Sequence, residues 1–322
     1  MFADCDGRTL DRLTDALTAR AHRPRDVIMR QGERGTSFVL VLEGTVAVSR
    51  VDDAGLHVLG SAGPGSVLGE LAMLTGGPRR ATVEAVTTVR VAQGDLAAFE
   101  LLLDAPGVHE RIAGLVAHRL ADIAVPARVS LRDETRLVLR PLLASDREMI
   151  ETGLAQTSRE SLRRRFFSGG PPSARVIDHL VNIDYIDHFA WAALAEDGQH
   201  GVSVARYVRA RRDREEADLA FFVADGLRGR GLATILLGAL GAAAWSAGIT
   251  RFVASVLAEN VEMRAVLDKA GATWHLDEPG VVSASLDVAS AADLVDSALR
   301  SALSRTAHDV VTAAGLALAH PM

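Results

Sequence analysis

The segment Gly63–Ala85, GPGSVLGELAMLTGGPRRATVEA, places Glu70 and two arginines among glycines, between short apolar runs. Glycine lets a backbone adopt positive φ and approach a ligand closely. Exposed N–H groups at such a turn, or at a helix N-terminus, bind anions, and an arginine holds a phosphate through two hydrogen bonds. Glu70 can only accept hydrogen bonds, which suits a ribose hydroxyl. The segment therefore predicts a site for a sugar phosphate, with Arg79 on the phosphate.

The sequence around this segment predicts a small β-barrel or jelly roll with flanking helices. Short apolar runs alternate with glycines across 27–69, as is typical of strands and turns. Residues 80–95 add two more strands. Apolar residues at helical spacing predict a helix over 9–20 and further helix from about residue 95.

The segment also resembles the phosphate-binding cassette of cyclic-nucleotide-binding domains, whose pattern is Gly-Glu-Leu-Ala followed by Pro-Arg-x-Ala-Thr. The resemblance implies that Glu70 binds the ribose 2′-hydroxyl and Arg79 the cyclic phosphate, while Arg80 is interpreted as their solvated neighbour. Ala81 would offer a backbone amide and Thr82 a hydroxyl near the base. The alternative is a loop with a Glu–Arg salt bridge and no ligand. The implied effector site comprises Gly69, Glu70, Leu71, Ala72, Arg79, Arg80, Ala81 and Thr82.

In the C-terminal half, strands alternate with helices, which indicates an α/β or α+β domain. One strand ends at about Val223, and a basic glycine turn, Arg228–Gly231, leads into an apolar helix. A helix N-terminus behind such a turn is suited to a pyrophosphate. A Rossmann fingerprint is not met, because Thr234 follows the two glycines and no acid stands near residue 250. A Walker lysine is absent as well.

The same turn resembles the R/Q-x-x-G-x-G/A motif of the GNAT acyltransferase superfamily. A second block, with Met263, Lys269 and Gly271, follows at the spacing of that family. The resemblance implies an α+β GNAT fold with a mixed sheet, in which backbone amides of the turn bind the pyrophosphate of acyl-CoA. The implied acetyl-CoA contacts are Val223, Arg228, Gly229, Arg230, Gly231, Leu232, Ala233 and Asn260.

Acetyl transfer to a lysine requires a neutral amine, and a free lysine has a pKa of about 10.4. A base must therefore remove a proton, directly or through water. Asp218 stands where related enzymes usually carry glutamate, and Glu216, two residues earlier, lies on the same strand face. Either carboxylate is a candidate base. Asn260 could bind the CoA arm or the acetyl group, and Leu267 replaces the tyrosine that many GNAT enzymes use as an acid.

Residues 158–188 resemble the segment before the core of bacterial protein lysine acetyltransferases, so the whole chain resembles the cAMP-regulated enzymes of the mycobacterial type. The resemblance implies cAMP-activated acetyl transfer from acetyl-CoA to lysines of proteins such as acyl-CoA synthetases. A small-molecule amine acetyltransferase and a catalytically silent acetyl-CoA sensor remain alternatives. The sequence predicts four parts: a cyclic-nucleotide-binding domain (1–124), a linker (125–136), a GNAT domain (137–290) and a helical tail (291–322).

Composition limits the partners and the compartment. A net charge of −6 over 322 residues gives no global electrostatic attraction to nucleic acid. The single cysteine, Cys5, cannot form an internal disulfide and suits a reducing cytoplasm. The N-terminus lacks a signal-peptide pattern, and the apolar run 231–245 is shorter than a membrane span. We therefore expect a cytoplasmic protein without a membrane partner. The histidines show no metal-ligand spacing, so we expect no metal site.

Overall fold

The computed structural model describes residues 2, 4–52, 55–168, 170–196, 201–210 and 213–315. Within these residues the chain divides into two units, one ending at Val116 and the other spanning Ala117–Gly315. Of the predicted tail 291–322, residues 316–322 lie outside the described residues. The domain boundaries given by the sequence stay predictions.

The first unit contains two four-stranded sheets, each with antiparallel neighbours. Their strand orders are β1-β8-β3-β6 and β2-β7-β4-β5. The strands are β1 (Thr18–His22), β2 (Val27–Met29), β3 (Phe38–Glu43), β4 (Val46–Asp52), β5 (Gly55–Ala62), β6 (Val67–Leu68), β7 (Thr82–Ala85) and β8 (Val89–Gly94). The helices are α1 (Gly7–Asp15), α2 (Glu70–Thr75), α3 (Leu96–Leu103) and α4 (Val108–Asp122), which continues into the second unit.

Apolar side chains from both sheets form one core, as the alternating apolar runs require. This core includes Val41 and Val91 from the first sheet and Val46 and Val83 from the second. The predicted jelly-roll class is thereby confirmed. The helix predicted over 9–20 was too long: it ends at Asp15, because the residues from Thr18 onward pair with β8 instead.

Gly35 provides a test of the packing around the cassette. A Cβ atom on Gly35 would lie 2.2 Å from the Cβ of Ala72 in α2, closer than two carbon atoms can approach. We expect Gly35→Ala to lower the free energy of unfolding by about 1–3 kcal/mol, because α2 has to shift. Urea unfolding followed by circular dichroism measures this. Gly114→Ala in α4 is the control, since nothing lies within 4 Å of its new Cβ; equal unfolding midpoints would contradict the expectation.

The second unit contains one eight-stranded mixed sheet in the order β15-β16-β14-β13-β12-β11-β10-β9. Its strands are β9 (Ala127–Ser130), β10 (Arg136–Pro141), β11 (His188–Ala195), β12 (Gly201–Arg209), β13 (Glu216–Val223), β14 (Arg251–Leu257), β15 (Thr273–Glu278) and β16 (Val281–Asp287). Its helices are α5 (Arg147–Ala155), α6 (Arg159–Phe166), α7 (Ala174–Val181), α8 (Leu232–Ser246), α9 (Val261–Asp268), α10 (Val288–Ala292) and α11 (Ser297–Gly315).

Helix α8 is the central helix of this unit. It is apolar almost all round, and its middle turns are buried against the sheet on one side and against α10 and α11 on the other. The indole nitrogen of Trp191 in β11 donates to the carbonyl of Ala239 in α8 at 2.9 Å. These contacts hold the start of α8 at a fixed place on the sheet. The predicted linker segment 125–136 contains β9, which pairs with β10.

None of the helices in the described parts of the chain is long and apolar enough to cross a membrane.

Candidate functional site

The cassette of the first unit begins where β6 ends. Gly69 has a φ of 88° and precedes α2, and no side chain caps this helix end. A Cβ on Gly69 would lie 2.5 Å from Nη1 of Arg79. Glycine is therefore required both by the backbone conformation and by the close approach of the arginine.

Arg79 and Glu70 are charged residues in a buried place, with 7% and 1% of their surfaces exposed. Nη1 of Arg79 donates to the carbonyl of Gly69 at 2.9 Å, and Nη2 donates to Ser37. Desolvation lowers the pKa of Arg79, and the negative charges of Glu70 and Glu33 oppose this shift. A guanidinium beside an uncapped helix start fits a phosphate, and the carboxylate beside it fits a hydroxyl.

The other predicted cassette residues lie around this pair. Leu71 and Ala72 are buried in α2, whereas Arg80 is exposed and Ala81 is half-buried. The hydroxyl oxygen of Thr82 accepts a hydrogen bond from the backbone N–H of Gln31 at 3.1 Å. The structure therefore brings the buried Glu–Arg pair together and leaves Arg80 facing solvent.

A cleft of about 390 Å³ opens in the second unit between the neighbouring strands β13 and β14. These two strands are parallel, and their register runs only from Glu216–Arg251 to Asp218–Val253. Beyond Asp218 the strands diverge, and the start of α8 and part of α9 complete the walls. The divergence exposes strand edges to a ligand without disrupting the rest of the sheet.

Most of the predicted acyl-CoA contacts line this cleft. Gly231 has a φ of 94° and precedes α8 without a side-chain cap, so the first-turn amides are directed to the cleft. Arg230 is the exception: it pairs with Asp133 at 2.7 Å. The predicted residues that line the cleft are Val223, Arg228, Gly229, Gly231, Leu232, Ala233 and Asn260.

The cleft walls are rich in positive charge, which fits the phosphates of CoA. The side chain of Arg132, in the turn between β9 and β10, lies about 3.4 Å from where a Cβ of Gly231 would be. No motif in the sequence identifies this residue, because only the pairing of β9 with β10 carries it to the phosphate turn. The cationic lining residues are Arg132, Arg164, Arg165, Arg228 and Lys269.

The two candidate bases differ in their surroundings. Asp218 lines the cleft at the point where the strands separate. Partial burial and the charge of Glu216 raise the pKa of Asp218. Glu216 instead accepts a hydrogen bond from Nε of Arg251 at 2.8 Å, and Arg251 also pairs with Asp213 at 2.7 Å. Asp218 thus faces the cleft, while Glu216 is engaged in an ion-pair network.

Asn260 and Leu267 complete the inner wall. Oδ1 of Asn260 accepts from the backbone N–H of Met263 at 3.3 Å and so caps α9. Leu267 is fully buried and contributes only apolar surface. Among the described residues, no group of three or more His, Cys, Asp or Glu side chains is placed to hold a metal ion.

Comparison with known proteins agrees with these two sites. Residues 19–105 match the cyclic nucleotide-binding domain family, and residues 136–273 match the acetyltransferase (GNAT) domain family. The chain is 36% identical over 289 residues to acetyltransferase Pat of Mycolicibacterium smegmatis, which covers 89% of this chain and 86% of that protein. A solved cAMP-binding acyltransferase from Mycobacterium smegmatis has a TM-score of 0.51 and 31% identity, covering 97% of this chain and 94% of that one.

A further relative matches only the first unit. The cAMP-dependent protein kinase regulatory subunit of Debaryomyces hansenii is 38% identical over 92 residues, 29% of this chain and 20% of that protein. The two-domain class and the ligand classes predicted from the sequence, a cyclic nucleotide and acetyl-CoA, are confirmed by these matches. The chain therefore belongs to the family of GNAT acetyltransferases that carry an N-terminal cyclic-nucleotide-binding domain.

Proposed function

We propose that cAMP, bound at the cassette around Arg79, activates transfer of an acetyl group from acetyl-CoA to lysine side chains of other proteins. Acyl-CoA synthetases are the acceptor class we put forward. The observation that carries the proposal is the position of Asp218, a carboxylate at the separation of two strands, on the wall of a basic cleft. The cleft supplies the place for the thioester, and Asp218 supplies a proton acceptor beside it.

In the proposed reaction, Asp218 accepts a proton from the acceptor ammonium group, directly or through one water. The neutral amine nitrogen then forms a bond to the acetyl carbonyl carbon, and the C–S bond breaks with its electron pair going to sulfur. The extra proton on the nitrogen passes to the CoA thiolate, directly or through solvent, which leaves the amide and the CoA thiol. The raised pKa of Asp218 favours this role, because a stronger base accepts the proton more readily. First-turn amides of α8, with Arg132 and Arg228 beside them, hold the phosphates during transfer.

Leu267 offers no proton to the leaving thiolate. A thiol has a pKa near 8.5, so a CoA thiolate can leave without a dedicated acid. The absence of an acid at this position is therefore compatible with catalysis.

Control by cAMP requires that the nucleotide bind the active form of the enzyme more tightly than the inactive form. Glu70 would accept a hydrogen bond from the ribose and Arg79 would hold the cyclic phosphate. Coupling free energies of about 1–3 kcal/mol are typical and correspond to roughly 5–150-fold activation.

The acceptor class is tested by incubating the full chain with acetyl-CoA, cAMP and a purified acyl-CoA synthetase, followed by mass spectrometry. We expect a mass increase of one acetyl group on a lysine of the synthetase, and little without cAMP. A matched reaction replaces the protein with small amines such as polyamines. Acetylation of the amines alone would support a small-molecule acetyltransferase, and no acetylation of either would support the silent acetyl-CoA sensor.

A further inference from the structure

A second, smaller cavity of about 40 Å³ adjoins the acetyl-CoA cleft. It lies among α5, α6, α7, β12 and β13, and it shares Arg165 and Phe222 with the lining of the cleft. A cavity needs about 10–15 Å³ to hold one water molecule, so this cavity has room for the three heavy atoms of a carboxylate group. Its lining contains two arginines and no acidic residue.

Arg206, one of these arginines, is 5% exposed. Its Nη1 donates to the carbonyl of Leu180 at 2.8 Å and lies 2.9 Å from Nε2 of His188. These two acceptors use both hydrogens of Nη1. The donors on Nε and Nη2 have no hydrogen-bond partner within the described ranges of the chain. A guanidinium whose remaining donors border a cavity is suited to bind an anion.

His188 cannot neutralise this charge. Burial, with the charges of Arg206 and His179, lowers the pKa of His188 to about 3. The ring is therefore neutral, and the contact with Arg206 assigns an unprotonated Nε2 that accepts the hydrogen bond. The histidine orients the guanidinium and leaves its positive charge uncompensated.

Arg165 adds a second positive charge to the same cavity. Its guanidinium lies 4.9 Å from the ring centre of Phe166, and no ion pair joins it to an acid in the described segments. Burial lowers the pKa of Arg165 to about 10, and the nearby charge of Arg165 helps burial to lower the pKa of Arg206 to about 9. Arg165 is half-buried and Arg206 is buried, so the two cations repel each other, and an anion bound between them would offset that repulsion.

The strand register places this charge pair close to the candidate base. Arg206 pairs with Ala220 across β12 and β13, and Val208 pairs with Asp218. Paired side chains lie on the same face, so Arg206 and Asp218 share a face of the sheet as diagonal neighbours, whose Cβ atoms are typically about 7–8 Å apart. An extended chain advances about 3.3–3.6 Å per residue. A group bound between the arginines would therefore lie within about three residues of a lysine at Asp218.

We propose that Arg165 and Arg206 form a subsite for a carboxylate of the acceptor, an aspartate or glutamate within about three residues of the acetylated lysine. This inference rests on the proposed lysine acetyltransferase function. It assigns to the enzyme a preference for acidic sequence next to the acceptor lysine.

The test uses nine-residue peptides with one central lysine and a single glutamate stepped through the other positions. Each glutamate peptide is compared with a control peptide of the same sequence that carries glutamine in place of the glutamate. With the full chain, acetyl-CoA and cAMP, we expect kcat/KM for at least one glutamate position to exceed that of its control peptide about 10-fold or more. Arg206→Met and Arg165→Met should each bring this ratio close to one. Both kcat/KM values in a ratio come from the same preparation of a variant. A partly misfolded preparation therefore lowers both values by the same factor and leaves the ratio unchanged.

Arg163→Met is the matched control for general charge. Arg163 lies on the same helix as Arg165, pairs with Glu259 and does not line the small cavity. The preference should survive this substitution. Its loss in Arg163→Met to the same extent as in Arg206→Met would overturn the subsite, and so would equal turnover of glutamate and glutamine peptides by the unmodified chain.

A binding measurement separates failure of the subsite from failure of the proposed function. Fluorescence anisotropy of labelled peptides, without acetyl-CoA, should give about a 10-fold lower Kd for the preferred glutamate peptide. One outcome is that no peptide is acetylated, while the difference in Kd between glutamate and glutamine peptides exists and disappears in Arg206→Met. This outcome supports the subsite and contradicts the proposed lysine acetyltransferase function. Peptides that bind without a preference, or do not bind, overturn the subsite.

Discussion

Asp218→Asn should lower kcat by about 10²–10⁴-fold, because general base catalysis contributes a factor of that size. An amide has almost the same shape as the carboxylate but cannot accept the proton of the acceptor ammonium group. Initial rates of CoA release with saturating acetyl-CoA, cAMP and a lysine peptide measure the change. The Kd for acetyl-CoA should stay within about twofold, since Asp218 does not belong to the phosphate-binding turn.

Glu216→Gln is the matched control, because Glu216 is the other carboxylate on this strand face and is paired with Arg251. We expect it to retain kcat on the alkaline plateau. Because its charge helps to raise the pKa of Asp218, the acid limb of the pH–kcat profile should move to lower pH in this variant. A loss in Glu216→Gln as large as in Asp218→Asn would contradict the assignment of Asp218 as the base.

Arg79→Gln should raise the Kd for cAMP at least about 30-fold, since losing one partner of a buried charged hydrogen bond costs about 2–5 kcal/mol. Isothermal titration calorimetry with the full chain measures this. Activation should disappear at cAMP concentrations that saturate the unmodified enzyme, while the rate without cAMP is retained.

Arg80→Gln is the neighbouring control, because it removes the same charge from an exposed residue of the same loop. Its Kd for cAMP should change less than about threefold. Circular dichroism of Arg79→Gln checks that loss of the bonds to Gly69 and Ser37 has not unfolded the domain. Equal losses of affinity in the two variants would show that Arg79 has no special role in holding the phosphate.

Features fixed by neighbouring residues could be predicted from the sequence. The cassette around Glu70 and the turn at Gly231 are each built from contiguous residues, and the positive φ of their glycines follows from local turn chemistry. Non-local pairing could not be predicted in the same way. The helical pattern over 9–20 continues past Asp15, yet the pairing of Thr18–His22 with β8 ends the helix.

In the candidate site, too, local patterns were predictable from the sequence, whereas contacts made by long-range strand pairing were not. Strand alternation placed Glu216 and Asp218 on one face, and it could not decide between them. Their difference comes from Arg251, which reaches Glu216 because β13 and β14 are parallel neighbours. Arg132 and Arg206 likewise reach their positions through long-range strand pairing, so no motif identified them.

The most direct test of the account is the rate of CoA release from acetyl-CoA with a lysine acceptor, with and without saturating cAMP, in the unmodified chain and in Arg79→Gln and Asp218→Asn. We expect cAMP to stimulate the unmodified chain about 5–150-fold. Arg79→Gln should retain only the unstimulated rate, and Asp218→Asn should be slow under both conditions. Equal rates with and without cAMP in the unmodified chain would contradict the coupling of the two sites.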